Sequence, residues 1–307
     1  MKMIHQLDFN GRDKVDKAIL RLQTYEPPEG YYLCFSGGKD SVVIKALADM
    51  AGVKYDAHYA VTSVDPPELV RFIKTEYPEV EFDHKYDKDG NRITMWTLIA
   101  SKQMPPTRLA RYCCAYLKET GGDGRLKVTG VRWSESNRRK ISHSEVTFAD
   151  KKAKKTVEME LSDGDFISTP QGGVVLRLDN RENARIVEMC YKTHTTLVNP
   201  IIDWTEAEVW EFIHEYKVPY CELYDQGYKR LGCIGCPMAG GKGQQREFDR
   251  YPKYKTLYLR AFEKMLKHNE EKGVVSKMNW QTPEDVMTWW LQEDRKVDAD
   301  IMGLIDE

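Results

Sequence analysis

The apolar positions of this chain change period as they run, close to 3.6 residues in some stretches and close to two in others, which marks alternating helices and strands. Residues 11 to 26 form an amphipathic pattern closed by Glu26-Pro27-Pro28, and a short apolar strand is expected at 31 to 35. Val42, Val43, Leu47 and Ala48 recur at helical spacing, so a helix is predicted over 40 to 51. Residues 53 to 61 alternate as a second strand, which ends at Thr62-Ser63-Val64-Asp65-Pro66-Pro67. A helix over 67 to 77 follows, with Leu69, Phe72 and Ile73 on one side, then a third strand at Val80-Glu81-Phe82. Another helix is predicted over 94 to 102, and a fourth strand at Leu126-Lys127-Val128-Thr129-Gly130-Val131. Alternation of this kind predicts an α/β fold, a doubly wound and mainly parallel sheet covered on both faces.

Two stretches depart from the alternation. Residues 142 to 185 hold KKAKK, an acidic SDGD and Gln171-Gly172-Gly173, and read as a surface insertion with some β character. After Asn199-Pro200, Thr205 with Glu208 three positions on forms a capping box for a helix running to about Tyr216. The last seventy residues are helical in pattern and rich in Tyr and Trp. The expected organisation is an N-terminal helix (1–28), an α/β domain with the insertion (29–240) and a small helical C-terminal lobe (241–307).

Composition narrows the class. Of 307 residues 41% are apolar, and 46 basic side chains face 48 acidic ones, so net charge does not mark a nucleic-acid binder. The opening MKMIHQLDFNGRDK has no apolar stretch, and no run approaches the roughly 18 residues of a membrane span. A soluble, cytoplasmic protein without a membrane partner is expected. Seven cysteines, at 34, 113, 114, 190, 221, 233 and 236, are an odd number in a chain without an export signal, which argues against a disulfide framework. Cys34, Cys190 and Cys221 read as packed single thiols.

Candidate chemistry gathers at three places. The first is Ser36-Gly37-Gly38-Lys39-Asp40-Ser41, directly after the first strand. Two glycines let the backbone amides approach a ligand, the following helix points its positive end at the same spot, and Lys39 and Ser41 add a charge and a hydroxyl. That chemistry suits a phosphate chain at the C-terminal edge of a parallel sheet. The spacing is neither that of GxxxxGK[ST] nor that of GxGxxG, and an ordinary strand-to-helix turn is the plain alternative. Asp65, at the end of the second strand, suits a ribose or Mg²⁺, or else caps a helix. The second place is TGVRWSESNRRK, where Gly130 frees the chain and Arg132, Arg138 and Arg139 offer guanidinium forks for phosphate or sulfate beside the Ser136 hydroxyl; a solvated basic loop is its alternative. The third is the pair of motifs RYCCAYLKE and RLGCIGCPMAGG. Four thiolates from Cys113, Cys114, Cys233 and Cys236 fit either structural Zn²⁺ or a [4Fe–4S] cluster.

SGGKDS resembles the pyrophosphate loop of the adenine-nucleotide α-hydrolase superfamily. Gly130, Arg132, Ser136 and Arg139 resemble the GxRxxxSxxR segment of its phosphoadenylylsulfate reductase family. NPIIDWTEAEVWEFI and VPYCELYDQGYKRLGCIGCPM are similar to further words of that family, so the resemblance covers about residues 30 to 240. It implies nucleotide binding by Ser36, Gly37, Gly38, Lys39, Asp40, Ser41, Asp65, Gly130, Arg132, Ser136 and Arg139. Lys39, Asp40 and Arg132 are the expected catalytic set, and Cys113, Cys114, Cys233 and Cys236 the expected ligands of a [4Fe–4S] cluster, zinc being the alternative. Reductases of this family use a further cysteine near the C-terminus, whereas this sequence has none after Cys236. The combination therefore also resembles the reductase-like branch of DNA phosphorothioation systems. That reading implies an enzyme that cleaves ATP to AMP and pyrophosphate with Mg²⁺ and supports sulfur transfer. A cysteine desulfurase or other sulfur donor would be its partner, DNA or RNA its substrate, and a homodimer its assembly. A reductase of adenylylsulfate using an external thiol is the second reading, and a non-catalytic nucleotide-sensing subunit of a defence complex the third. KKAKK at 151–155 and Trp280, Trp289 and Trp290 could serve nucleic-acid binding, with a solvated loop and helix packing as the alternatives.

Overall fold

A computed structural model of the protein describes residues 3–148, 166–168, 174–176, 187, 195–273 and 278–292. Its strands in chain order are β1 (Tyr31–Cys34), β2 (Tyr55–Ala60), β3 (Glu81–Asp83), β4 (Lys85–Tyr86), β5 (Arg92–Ile93), β6 (Lys127–Val128), β7 (Val146–Phe148), β8 (Phe166–Ser168), β9 (Val174–Leu176) and β10 (Thr196–Val198). The chain divides into two compact units. The first comprises Met1–Ala60, Pro67–Asp83 and Gly121–Leu231, and the second Val61–Pro66, His84–Thr120 and Gly232–Glu307. The segments expected at 1–28, 29–240 and 241–307 run along the sequence, whereas both units are assembled from separated pieces of it.

The first unit is built on an eight-stranded sheet of order β3-β2-β1-β6-β10-β7-β9-β8. Its first five strands are parallel, and β7, β9 and β8 continue it antiparallel. The fold is thus the mainly parallel α/β architecture that the alternating pattern predicts, with helices on both sides. Tyr31 and Leu33 on one face of the central strand β1 and Tyr32 on the other are all buried, as an apolar strand covered on both faces requires. Strands β7, β8 and β9 carry the β character expected of 142–185, while KKAKK, SDGD and Gln171–Gly173 lie outside the described residues. Helix α1 (Lys14–Thr24) starts at an Asp13–Asp16 capping box, and α2 (Lys39–Ala51) and α3 (Pro67–Glu76) follow β1 and β2. At the helix Glu206–Glu215 the Thr205 hydroxyl accepts from the Glu208 amide and the Glu208 carboxylate accepts from the Thr205 amide, the box read from the sequence.

Among its described residues, the second unit's regular structure is helical apart from the β4–β5 ribbon. Its core packs Val64, Met95, Ile99, Ile234, Phe248, Tyr258, Phe262 and Trp290 together. These come from the Val61–Pro66 turn, α4 (Met95–Lys102), the cysteine loop at 233–236 and the last three helices, Gly240–Arg250, Pro252–Glu271 and Pro283–Leu291. Trp290 is buried and donates its indole N–H to the Pro106 carbonyl at 2.6 Å, and Trp280 stacks edge-on against Trp289 at 5.0 Å. Trp290 belongs to this core, and Trp280 and Trp289 pack against it partly buried. Among the described residues no helix is long and apolar enough to cross a membrane.

Candidate functional site

The 36–41 loop turns directly out of β1. Gly37 sits at φ +70°, and a Cβ there would come within 2.6 Å of Leu69 and 2.8 Å of Ile73 on α3. Only glycine combines that backbone conformation with so close an approach. Gly38 is the N-cap of α2 and supplies no side chain to the helix end. The open amide at Lys39 is met instead by Tyr224, whose hydroxyl accepts it at 2.9 Å. Ser41 donates its hydroxyl to the Gly38 carbonyl at 2.8 Å, and Ser36 donates to Ser41 at 3.2 Å. Lys39 is buried; its ammonium donates to the Lys229 carbonyl at 3.4 Å and stands 3.8 Å from Asp40 and 3.7 Å from Glu206.

Arg132 anchors the other half of this edge. It is 3% exposed, donates from Nε to Asp40 at 2.7 Å and from Nη1 to Ser134 at 2.7 Å and the Trp204 carbonyl at 3.4 Å. Its guanidinium therefore fixes the first turn of α2 from inside the protein. Gly130 permits the approach, since a Cβ there would lie 3.0 Å from that of Asp40. Ser136 caps the short helix α6 (Asn137–Ser142) by accepting the Arg139 amide at 3.2 Å, and Arg139 pairs with Glu135. The Arg138 side chain lies outside the described residues. The first unit thus brings together Ser36 to Ser41, Gly130 and Arg132, whereas Asp65 belongs to the second.

A polar network that the sequence reading passed over crosses β1, β2 and β3. His58 bonds Asp56 through Nε2 and Asp83 through Nδ1 at 3.1 Å, its ring stacks on Tyr32 at 4.1 Å, and Tyr32 donates to Asp83 at 2.6 Å. Arg125 holds Asp56 at 2.6 Å. Burial pushes the His58 imidazole down, but the bonds to Asp56 and Asp83 outweigh it and leave the ring above its ordinary value. The signal in the sequence is weak: Asp56 and His58, two apart, share one face of a strand.

In the second unit the four expected ligand sulfurs lie within electrostatic reach of one another. Cys113 and Cys114 stand in the first turn of α5 (Tyr112–Leu117) as free thiols that share a hydrogen bond. The 233–236 turn is held from several sides. Cys233 donates to the Thr62 hydroxyl at 3.5 Å, Ile234 N to the Val64 carbonyl at 2.7 Å, Tyr258 to the Ile234 carbonyl at 3.0 Å and Gly235 N to Glu247 at 2.6 Å. Burial raises the Cys233 and Cys236 thiols. The bond from Cys113, then Arg111 and Lys118, hold Cys114 below the usual thiol range. Lys118 faces Cys233 and Asp65, which keep it charged. Asp65 is buried; its carboxylate accepts the Thr62 amide at 2.9 Å and its carbonyl accepts the Tyr254 hydroxyl at 3.0 Å. Burial raises Glu247 to about 7 against the pull of the Gly235 and Cys236 amides. Cys221 is fully buried, consistent with a packed thiol, and Cys190 lies outside the described residues.

Comparison with known proteins bears on both groups. The sequence profile of the phosphoadenosine phosphosulfate reductase domain matches residues 30–239, a span that holds the loop, the 130–139 segment and all four cysteines. An adenosine 5'-phosphosulfate reductase of Allochromatium vinosum is 43% identical over 54 residues, which are 18% of this chain and 21% of that protein. One from Salinibacter ruber is 42% identical over 52 residues, again 21% of its length, so the matched part is about a fifth of these two relatives. The namesake in Staphylococcus epidermidis is 25% identical over 247 residues, 76% of this chain and 81% of that one. Among solved structures, a phosphoadenylyl-sulfate reductase from Candida auris in a phosphate complex aligns with 71% of this chain and 87% of its own, at 16% identity and a TM-score of 0.38.

Proposed function

The chain belongs to the phosphoadenosine phosphosulfate reductase domain family, and on that premise we propose that it reduces an adenylylated sulfate with an external thiol. The observation that carries this reading is the family match over 30–239, which takes in the glycine loop and both cysteine pairs at once. The loop amides and the positive end of α2 suit the phosphate of the nucleotide. Lys39 supplies the cation at that place, and the Arg132–Asp40 pair keeps the first helical turn rigid. An external dithiol attacks the sulfate sulfur, the S–O bond to phosphate breaks, and AMP leaves with that electron pair. The second thiol then displaces sulfite and the dithiol ends as a disulfide, so sulfur gains two electrons. Charge building on the departing phosphate oxygen is what the amides and Lys39 would stabilise.

Cys113, Cys114, Cys233 and Cys236 are a soft, all-sulfur donor set backed by the Arg111 and Lys118 cations, which fits an iron–sulfur cluster. When bound, the cluster would tie α5 to the 233–236 turn and add its charge and redox character there.

A second reading is favoured by one observation: no cysteine stands between 237 and 307. It makes the protein an ATP pyrophosphatase that serves sulfur transfer to a nucleic acid or metabolite, with Mg²⁺ offsetting the charge of the departing pyrophosphate. Anaerobically purified protein given adenosine 5'-phosphosulfate and thioredoxin should release sulfite and AMP. Pyrophosphate and AMP from ATP and Mg²⁺, without sulfite from the first mixture, would replace the reductase reading by the second. Tight binding of both nucleotides without turnover would sink both and favour a nucleotide sensor.

A further inference from the structure

We propose that Tyr224 is a phosphate-contacting residue of the glycine loop: its hydroxyl accepts the Lys39 amide and donates its own proton to a phosphoryl oxygen of the bound nucleotide. The inference rests on the reading of residues 36–41 as a nucleotide site, and adds to it a group that no motif in the loop contains. The geometry is specific. The Tyr224 oxygen lies 2.9 Å from the Lys39 nitrogen, and a Cβ placed on Gly38 would stand 3.4 Å from it, so the hydroxyl overhangs the Gly38–Lys39 peptide. A ligand approaching the first amide of α2 must meet this oxygen.

The hydroxyl has capacity to spare. A tyrosine O–H accepts and donates, and the bond from Lys39 uses only its accepting side. Among the described residues no acceptor takes its proton. Burial, the largest influence, pushes the Tyr224 hydroxyl up, and the nearby acids Asp40 and Glu206 push it the same way, so the proton is present at neutral pH. Trp210 packs edge-on against the ring at 5.1 Å, and the Lys39 ammonium stands 5.8 Å from its centroid. The ring is therefore held from behind while its oxygen faces the loop. A bond to an anionic oxygen is stronger than one between neutral groups, so a phosphoryl oxygen is a better acceptor than water.

The test is calorimetric binding of ATP, adenosine 5'-phosphosulfate and adenosine to three forms of the full chain: wild type, Tyr224→Phe, and protein carrying 3-fluorotyrosine at 224. Loss of one charge-assisted bond should weaken both phosphorylated ligands about tenfold to hundredfold in Tyr224→Phe and leave adenosine unchanged. Fluorination makes the O–H a better donor and a poorer acceptor. The fluorinated protein should therefore bind ATP at least as well as wild type. A hydroxyl that only caps α2 predicts the reverse order, with the fluorinated form weaker than wild type and lower melting temperatures in both variants. That order, or equal ATP affinity in wild type and Tyr224→Phe, overturns the proposal while leaving the nucleotide site standing. Failure of wild type to bind either phosphorylated ligand overturns both.

Discussion

Arg132 and Asp40 show how one buried side chain fixes another at the start of a helix. A guanidinium on the segment after β6, read as a phosphate fork, gives its Nε and Nη1 donors to Asp40, Ser134 and Trp204 inside the protein. Breaking a pair this buried leaves Asp40 facing a lost charge, so Arg132→Gln should cost about 3 kcal/mol in urea unfolding. Arg139→Gln, at the more exposed Glu135 pair, should cost under about 1 kcal/mol. Equal losses would show that burial does not separate the two. His58 makes a second prediction. Its folded pKa is raised, so the stability from its network is complete below the ordinary imidazole value near 6.5 and is lost as pH climbs through the folded value. Melting temperature should fall from pH 6 to pH 8, and His58→Asn should flatten that slope. A slope unchanged in the variant would remove His58 as its source. At this scale the sequence shows donors but not whom they meet. The partners of Arg132, Tyr224 and His58 lie 92, 185 and 25 residues away for Asp40, Lys39 and Asp83.

The helices and strands were far more legible than these contacts. An apolar run ending in Gly-Gly placed β1 and the start of α2, and Thr205 with Glu208 placed a helix end to the residue. Local chemistry decides such features, because a cap or a turn is settled within a few residues. What stayed hidden is why Gly37 must be glycine: α3 covers its Cα, and that needs Leu69 and Ile73 in place. Gly37→Ala meets both the left-handed φ and that contact. It should cost about 2 kcal/mol or more and weaken adenine-nucleotide binding together with stability. Full stability in this variant, by thermal melting, would mean that the bend can relax.

On the scale of the whole molecule, the division into two units could not be read along the chain. The turn Val61–Pro66 leaves the end of β2 for the second unit, and Val64 enters its core with Ile234, Phe248 and Phe262. Packing among distant segments decides that membership, and no local pattern announces it. The same core backs Cys113 and Cys233, which pack against it half-buried. Phe262→Ala, at a fully buried position, should cost about 3–5 kcal/mol and lower the iron retained per chain after anaerobic purification. Iron content equal to wild type in a clearly destabilised variant would separate the thiol centre from that core. The family match takes in the glycine loop and the four gathered thiols of one chain. The claim under all of this is that residues 36–41 grip the anionic part of an adenine nucleotide. Equilibrium dialysis with labelled adenosine 5'-phosphosulfate tests it most directly. Wild type should bind, and Lys39→Ala should bind at least about tenfold more weakly with its fold intact by circular dichroism. Equal affinity in the two proteins, or no binding by wild type at millimolar ligand, would contradict it.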